Sequence, residues 1–243
     1  MAKIFITGSA DGLGLLGAQA LISQGHQVYA HARNTSRAEE VKDKLAHVTE
    51  ILTADLSNVE EVKQLAHKLN TFEKFDAIIH NAGIYSGKGN EFFTVNVLAP
   101  YVLTALVDLP QRLIYLSSSM HKNGRPLLNT EDIRHINYSD SKLHLTTLTK
   151  VVARLYPDIY VNAVDPGWVP TKMGGPQAPD NLQKGYETQV WLASSRDKEA
   201  LVSGQYFYHQ KLQQAHPDSD SMQSQETLIE ICKEISGVSL DHN

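Results

Sequence analysis

Cysteine is nearly missing: Cys232 is the only one in 243 residues, so no disulfide can close within the chain. Nothing points to an oxidising compartment, and a cytoplasmic location is expected. Paired-Cys spacings and a His-Glu-x-x-His pattern are also absent, although eleven histidines are scattered along the chain. No metal site is expected from them. No stretch approaches the ~18 apolar residues of a membrane span. The opening Met1-Ala2-Lys3-Ile4-Phe5-Ile6-Thr7-Gly8 is too short an apolar run for a signal peptide. Basic runs are lacking and the formal net charge is −5, which argues against nucleic acid as a partner. With 42% hydrophobic and 20% charged residues, the composition is that of an ordinary globular protein. The length suits one domain over 1–243, with 210–243 as a C-terminal extension that carries a short helix from about Glu226.

Short apolar runs alternate with helical patterns. Strands are expected at Ile4–Thr7, Gln27–Ala32, Thr49–Thr53, Asp76–His80, Arg112–Leu116, Ile159–Val164 and Gln205–Tyr208. Helices are expected at Leu13–Gln24, Arg37–Leu45, around Val59–Leu69, Phe92–Val107, Tyr138–Leu155 and Asn181–Ser194. Such alternation predicts an α/β fold: a doubly wound parallel sheet of about seven strands with helices on both faces. Sheets of this type bind ligands beyond the carboxyl ends of their strands, and the suspicious residues fall there.

The most informative of these stretches is Tyr138-Ser139-Asp140-Ser141-Lys142, which opens a helix. Positions four apart share a helix face, so the Tyr138 phenol and the Lys142 ammonium would point the same way. A fixed positive charge favours phenolate, so Lys142 is expected to lower the Tyr138 pKa and make a general acid or base. Thr7-Gly8-Ser9-Ala10-Asp11-Gly12-Leu13-Gly14 follows the first strand and opens the first helix. Glycines there let the backbone approach a pyrophosphate, and a helix N-terminus offers free N–H groups. Gly12, Gly14 and Gly17 also match Gly-x-Gly-x-x-Gly. At the end of the second strand, Ala32 stands where a carboxylate would favour NAD, and Arg33 with Asn34 follows. A guanidinium there favours a 2′-phosphate, so NADP(H) is preferred over NAD(H), with Asp11 a counter-signal. Asp55 and Leu56 follow the third strand and Asn81-Ala82-Gly83 the fourth, where adenine and ribose would lie. Ser117, Ser118 and Ser119 follow the fifth, where a hydroxyl could donate to a carbonyl oxygen. Asn96 lies inside the most apolar helix with Pro100 four residues on. Proline lacks an N–H, so the Asn96 carbonyl loses its partner and the helix should kink. That carbonyl is expected to anchor a water reaching Lys142.

Together these residues resemble the short-chain dehydrogenase/reductase family, from about Lys3 to Tyr208. The matching elements, in order, are Thr-Gly-x-x-x-Gly-x-Gly at Thr7–Gly14, Asn81-Ala82-Gly83, Asn96, the serines after strand five, Tyr138-x-x-x-Lys142, and Pro166-Gly167 after strand six. The long Ser118–Tyr138 segment and Gly204-Gln205-Tyr206-Phe207 look like the retinol dehydrogenase and carbonyl reductase branch, although Asn81–Asn96 is shorter than usual. The resemblance implies a Tyr138 acid or base, a Lys142 that binds the nicotinamide ribose, a Ser118 that holds the substrate oxygen, and an Asn96 that maintains a proton relay. It implies a cofactor lining of Gly8, Ser9, Asp11, Gly12, Leu13, Gly14, Arg33, Asn34, Asp55, Leu56, Asn81, Ala82 and Gly83, with Pro166, Gly167, Val169 and Thr171 at the nicotinamide amide. The expected activity is carbonyl–alcohol interconversion on a small or medium apolar substrate, with Tyr85, Met120, Trp168 and Met173 as candidate walls. An NADP(H)-binding sensor with little turnover is the alternative. A sugar-nucleotide epimerase is disfavoured, because the chain has no room for a large C-terminal substrate domain. A dimer or tetramer through the helices Phe92–Val107 and Tyr138–Leu155 is left open, since one chain could equally cover those faces.

Overall fold

Apolar strands with no polar face need cover on both sides. All four residues of Ala77–His80 are buried, as are four of five in Arg112–Leu116. The structure, a computed structural model, describes residues 1–240. In chain order its elements are β1 (Lys3–Ile6), α1 (Gly12–Ser23), β2 (Gln27–Ala32), α2 (Thr35–Lys42), β3 (Glu50–Thr53), α3 (Val59–Leu69) and β4 (Ala77–His80). There follow α4 (Gly89–Phe93), a π-helical turn at Thr94–Leu98, α5 (Ala99–Leu106), β5 (Arg112–Leu116), α6 (Tyr138–Leu155) and β6 (Tyr160–Asp165). The chain closes with α7 (Leu182–Ser194), β7 (Gln205–Tyr208), β8 (Lys211–Gln213) and α8 (Met222–Ser236).

The strands form one sheet in the order β3-β2-β1-β4-β5-β6-β7-β8, parallel except for the last pair. This is the expected doubly wound sheet with eight strands rather than seven. The added strand, β8, pairs with β7 across a two-residue turn in which His209 and Gln210 have φ of 47° and 61°. Such turns usually carry Asn-Gly, so the sequence holds no hairpin signal there. One apolar cluster packs α3, α5, α6 and α8 on one face of the sheet. A second packs α1, α2 and α7 on the other.

Asparagines set several helix starts. Asn34, Asn58, Asn137 and Asn181 each accept a backbone N–H from the first turn of α2, α3, α6 and α7. At α6 the cap is reciprocal: Asp140 N–H donates to Asn137 at 3.0 Å, and Asn137 N–H donates to Asp140 at 2.9 Å. This fixes where the α6 helix begins, and so where Tyr138 stands.

The expected helix Phe92–Val107, with a kink expected before Pro100, is divided into α4, the π turn and α5. The Ala99 N–H reaches back five residues to the Thr94 carbonyl. Pro100 cannot donate to Asn96, and the chain meets that loss by widening one turn. The C-terminal helix is longer than expected and starts at Met222, where Ser221 caps it. It covers α6 within the same chain. Lys150 pairs with Asp220 at 2.9 Å, and Arg154 donates to Gln225 at 3.1 Å. Tyr101 on α5 also donates to the Val238 carbonyl at 2.9 Å. The C-terminal segment thus occupies helix faces that the sequence leaves free for pairing between subunits. Residues 241–243 of the expected 1–243 and 210–243 spans lie outside the described residues.

Candidate active site

The strand order reverses between β1 and β4, and a crevice opens at their carboxyl ends. It encloses about 830 Å3 and runs from Arg33 and Asp55 at one end to Tyr138 and Lys142 at the other. Among the described residues no group of three or more His, Cys, Asp or Glu could hold a metal. No helix there is long and apolar enough to cross a membrane.

At the glycine turn, Gly8 has φ +64°, and a Cβ on it would stand 2.9 Å from the Ala82 Cα. The turn is pinned from β4: the Asn81 amide donates to the Thr7 and Gly8 carbonyls at 2.9 and 3.2 Å, and Ala82 N–H donates to the Thr7 hydroxyl at 3.0 Å. Gly14 is buried behind this contact. A Cβ there would lie 2.5 Å from the Gly8 carbonyl oxygen and closer still to the Asn81 amide nitrogen. Gly14→Ala is expected to cost about 1–3 kcal/mol of stability by overpacking. A thermal melt measures the effect.

His31 adds a support that sequence reasoning missed. The Gly8 N–H donates to its Nδ1 at 3.0 Å, so Nδ1 is unprotonated and Nε2 donates to the Ala54 carbonyl at 3.0 Å. Burial holds the ring neutral, with a pKa lowered to about 4 against the opposing pull of the Ala54 carbonyl and Asp55. A histidine inside an otherwise apolar strand was the available signal. Arg33 is exposed at the crevice, and a second arginine, Arg37, also lines it. Arg37 pairs with Asp11 at 3.3 Å and with Glu40. The unfavourable acid in the turn is thus already paired with a guanidinium, while Asp11 also caps α1 through the Gly12 N–H at 2.8 Å. Burial acts to raise the Asp55 pKa, but the Ser57 hydroxyl and N–H, at 2.7 and 2.9 Å, hold it below the usual carboxylate value, with help from Arg33.

At the far end, Lys142 is buried and donates to the Leu116 carbonyl at 2.6 Å. Burial lowers its pKa to about 8, opposed by Asp165. Its ammonium stands 5.5 Å from the centre of the Tyr138 ring. The expected fall in the Tyr138 pKa is not found. Burial pushes the phenol up to about 12, the Ser118 hydroxyl against it pulls the other way, and Asp165 and Tyr85 raise it further. Lys142 is turned toward the Leu116 carbonyl and does not offset burial of the phenol.

Asn96 is buried with its side chain fully used. Its Oδ1 accepts the Ile84 N–H at 2.8 Å, and its amide donates to the Ile84 carbonyl at 3.1 Å and the Ser141 hydroxyl at 2.9 Å. It ties the loop after β4 to α6 beside Lys142. Gly83 lies between them, where a Cβ would be 3.2 Å from Asn96 Oδ1 and 3.4 Å from Lys142 Nζ.

Of the residues expected at the site, Gly8, Asp11, Gly12, Leu13, Arg33, Asp55, Leu56, Asn81, Ala82, Gly83, Tyr138, Lys142, Pro166 and Thr171 line the crevice. Others support it from behind. Ser9 is buried and bonds the Ile6 carbonyl and the His31 N–H, and Val169 packs in the interior. Gly167 donates its N–H to Asp165 at 2.9 Å. Asn34 is not in the lining: its side chain accepts the Arg37 N–H at 3.0 Å as the α2 cap. Asp165 was missed. It is 5% exposed and is the one carboxylate that acts on both Tyr138 and Lys142. An acid at the very end of a parallel strand was the signal.

The model for the short chain dehydrogenase family matches residues 2–182. An uncharacterised oxidoreductase of Emericella nidulans is 41% identical, with 98% of both chains covered. Short-chain dehydrogenase chyC of Penicillium rubens is 39% identical over 99% of each chain. Among solved structures, an uncharacterised protein of Mycobacterium paratuberculosis shares the fold with TM-score 0.81 at 21% identity, covering 100% of this chain and 96% of that one. A short chain dehydrogenase of Shigella flexneri, complexed with NADP, has TM-score 0.70 at 22% identity, covering 86% and 97%.

Proposed function

The chain belongs to the short-chain dehydrogenase family, and on that premise we propose that this oxidoreductase interconverts a carbonyl and an alcohol with NADP(H). The observation that carries the reading is one crevice with a glycine turn and exposed arginine at one end and Tyr138 and Lys142 at the other, with the Ser118 hydroxyl set against the Tyr138 phenol from outside the lining. The residues fit a dinucleotide. Gly8, Gly12 and Gly83 line the crevice without side chains, and the N-terminus of α1 opens into it at Gly12 and Leu13. Gly8, Gly12, Leu13, Asn81 and Ala82 would hold its backbone side, Arg33 a 2′-phosphate, and Pro166 and Thr171 the nicotinamide end. When bound, the nicotinamide supplies or accepts the hydride.

The chain's own groups handle the proton and the oxygen. Ser118 and Tyr138 bond the substrate oxygen, and Tyr138 transfers its proton as negative charge develops there. A phenol with a pKa near 12 is protonated at neutral pH, which suits donation to a nascent alkoxide. Lys142 is an ammonium below about pH 8, and Asn96 holds the loop that borders it. Running the reaction as alcohol oxidation needs the phenolate instead. Alcohol-oxidation kcat/KM is therefore expected to climb with pH up to about 8, while carbonyl-reduction kcat/KM stays nearly flat. Paired pH–rate profiles from pH 6 to 8 check this. Exposed Tyr85 and Met173 line the crevice and give it apolar surface, whereas the expected walls Met120 and Trp168 are exposed outside the lining.

The test is loss of NADPH absorbance with a panel of ketones and aldehydes. Turnover of at least one supports the reading, whereas tight NADPH binding with no turnover would favour the sensor alternative. Arg33→Ala is expected to lower the NADPH-over-NADH preference in kcat/KM by about tenfold or more, as loss of a charge-assisted phosphate contact should. An unchanged preference removes Arg33 from that role.

A further inference from the structure

Ser118 is held from below by a histidine that neither the glycine turn nor the Tyr138–Lys142 pair involves. His121 is fully buried on the short 3-10 turn Ser119–Asn123, which Ser118 caps. Its Nε2 receives the backbone N–H of His216 at 3.0 Å. A backbone N–H can only donate, so Nε2 carries no proton. The proton of the neutral ring is then on Nδ1, which stands 2.7 Å from the Ser118 carbonyl and donates to it. The His121 backbone N–H donates to the same carbonyl at 3.0 Å. The ring packs on Tyr206 of β7, centre to centre 4.5 Å. Burial lowers its pKa; Lys122 and His216 add to this, while the Ser118 carbonyl and Asp165 oppose it. The direction agrees with the neutral tautomer that the two bonds require.

Beyond His216 the bonds continue into the C-terminal segment. The Ser219 hydroxyl donates to the His216 carbonyl at 2.6 Å, and Gln225 donates to the Ser219 carbonyl at 3.0 Å. Gln225 in turn accepts from Arg154 on α6 at 3.1 Å. This segment lies past residue 182, where the match to the family model ends.

We propose that His121 is a positioning residue that couples the docked segment 216–225 to Ser118, so that the serine hydroxyl is aimed at the substrate oxygen only while that segment is in place. The proposal rests on the reading of Ser118 given above. One ring spans the two halves of the link, so they can be cut separately. Asparagine places an amide N–H near the Nδ1 position and can still serve Ser118. Glutamine places its amide near the Nε2 position and can still accept from His216. His216→Pro removes the donor without touching the His121 ring, together with the His216 Nδ1 that accepts the Asp218 N–H at 3.1 Å, and the His216 φ of −62° already suits proline.

The experiment compares His121→Phe, His121→Asn, His121→Gln and His216→Pro. It measures kcat and KM for a carbonyl substrate, the Kd for NADPH, and amide hydrogen exchange of residues 119–124. His121→Phe and His216→Pro should lower kcat by about tenfold or more, with NADPH Kd within threefold of wild type. Both should speed exchange across 119–124. His121→Asn and His121→Gln each keep one half of the link and break the other, so neither should recover the kcat. Recovery in His121→Asn, which keeps the bond to Ser118 but not the one to His216, or a His216→Pro protein with wild-type kcat and exchange, would overturn the coupling. The exchange measurement needs no substrate. If no carbonyl is turned over, unchanged exchange in His216→Pro still rejects the coupling, and faster exchange retains it while the assigned reaction fails.

Discussion

Tyr138→Phe is expected to lower kcat for carbonyl reduction by about 10²- to 10⁴-fold, the usual worth of a positioned general acid. The change removes one oxygen and little else. The ring keeps its edge contact with Tyr85 at 4.8 Å and its place near Phe92 at 6.5 Å. Tyr85 is the other phenol in the crevice lining, but it is 53% exposed, whereas the Ser118 hydroxyl stands against the Tyr138 phenol. NADPH affinity should change no more than a few-fold, since the glycine turn and Arg33 are untouched. Steady-state rates beside a binding titration separate the two quantities, and a variant that keeps full activity would remove Tyr138 from the chemistry. Ser118→Ala should cost less, because the phenol still bonds the oxygen.

Acid should unfold this protein well before its carboxylates are all protonated. His31, His80 and His144 are buried and neutral, and burial is the leading cause in each case. Their pKa values fall from 6.5 to about 4, about 3 and about 4. In the unfolded chain they take up protons near pH 6.5, and in the folded chain only near pH 3 to 4. The unfolded state therefore binds more protons through this window, and stability falls as pH drops from about 6.5 toward 4. Each histidine is worth roughly 2–4 kcal/mol by pH 4, so together they rival a typical total of about 5–15 kcal/mol. Urea midpoints at pH 7, 6, 5 and 4.5 should decline steeply. His144 is the informative one to change, because burial outweighs the opposing pull of Asp140 and the Arg125 backbone on its ring. His144→Leu should flatten the decline by about one proton's worth. An unchanged slope would show that His144 is not held neutral in the fold.

The sheet and the two ends of the crevice were legible because their signals are local. Strand, glycine turn and helix follow one another at Ile4–Leu15, and Tyr138 and Lys142 are four residues apart. Three features escaped for physical reasons. The β8 hairpin turns through His209-Gln210, residues that carry no turn signature although both adopt positive φ. The π turn at Thr94–Leu98 changes helical period where its neighbours are nearly all apolar, so no stripe marks the change. The Tyr138 pKa depends on burial and on Asp165, which only the folded sheet brings near it. Asn34 shows the opposite problem. An asparagine between strand and helix reads equally as a cofactor contact or a helix cap, and here it is the cap. The link from His121 to His216 spans 95 residues and has no counterpart in spacing or periodicity.

The central claim is that hydride and proton reach one carbonyl at the Ser118–Tyr138 end of the crevice. The most direct measurement supplies NADPH deuterated at the nicotinamide C4 position and follows the alcohol product by mass spectrometry, for wild type and Tyr138→Phe. The account predicts deuterium on the former carbonyl carbon in the wild-type product, formed at least about a hundredfold more slowly by the variant. An alcohol formed without deuterium from either C4 isotopomer, or labelled equally fast by Tyr138→Phe, would contradict it.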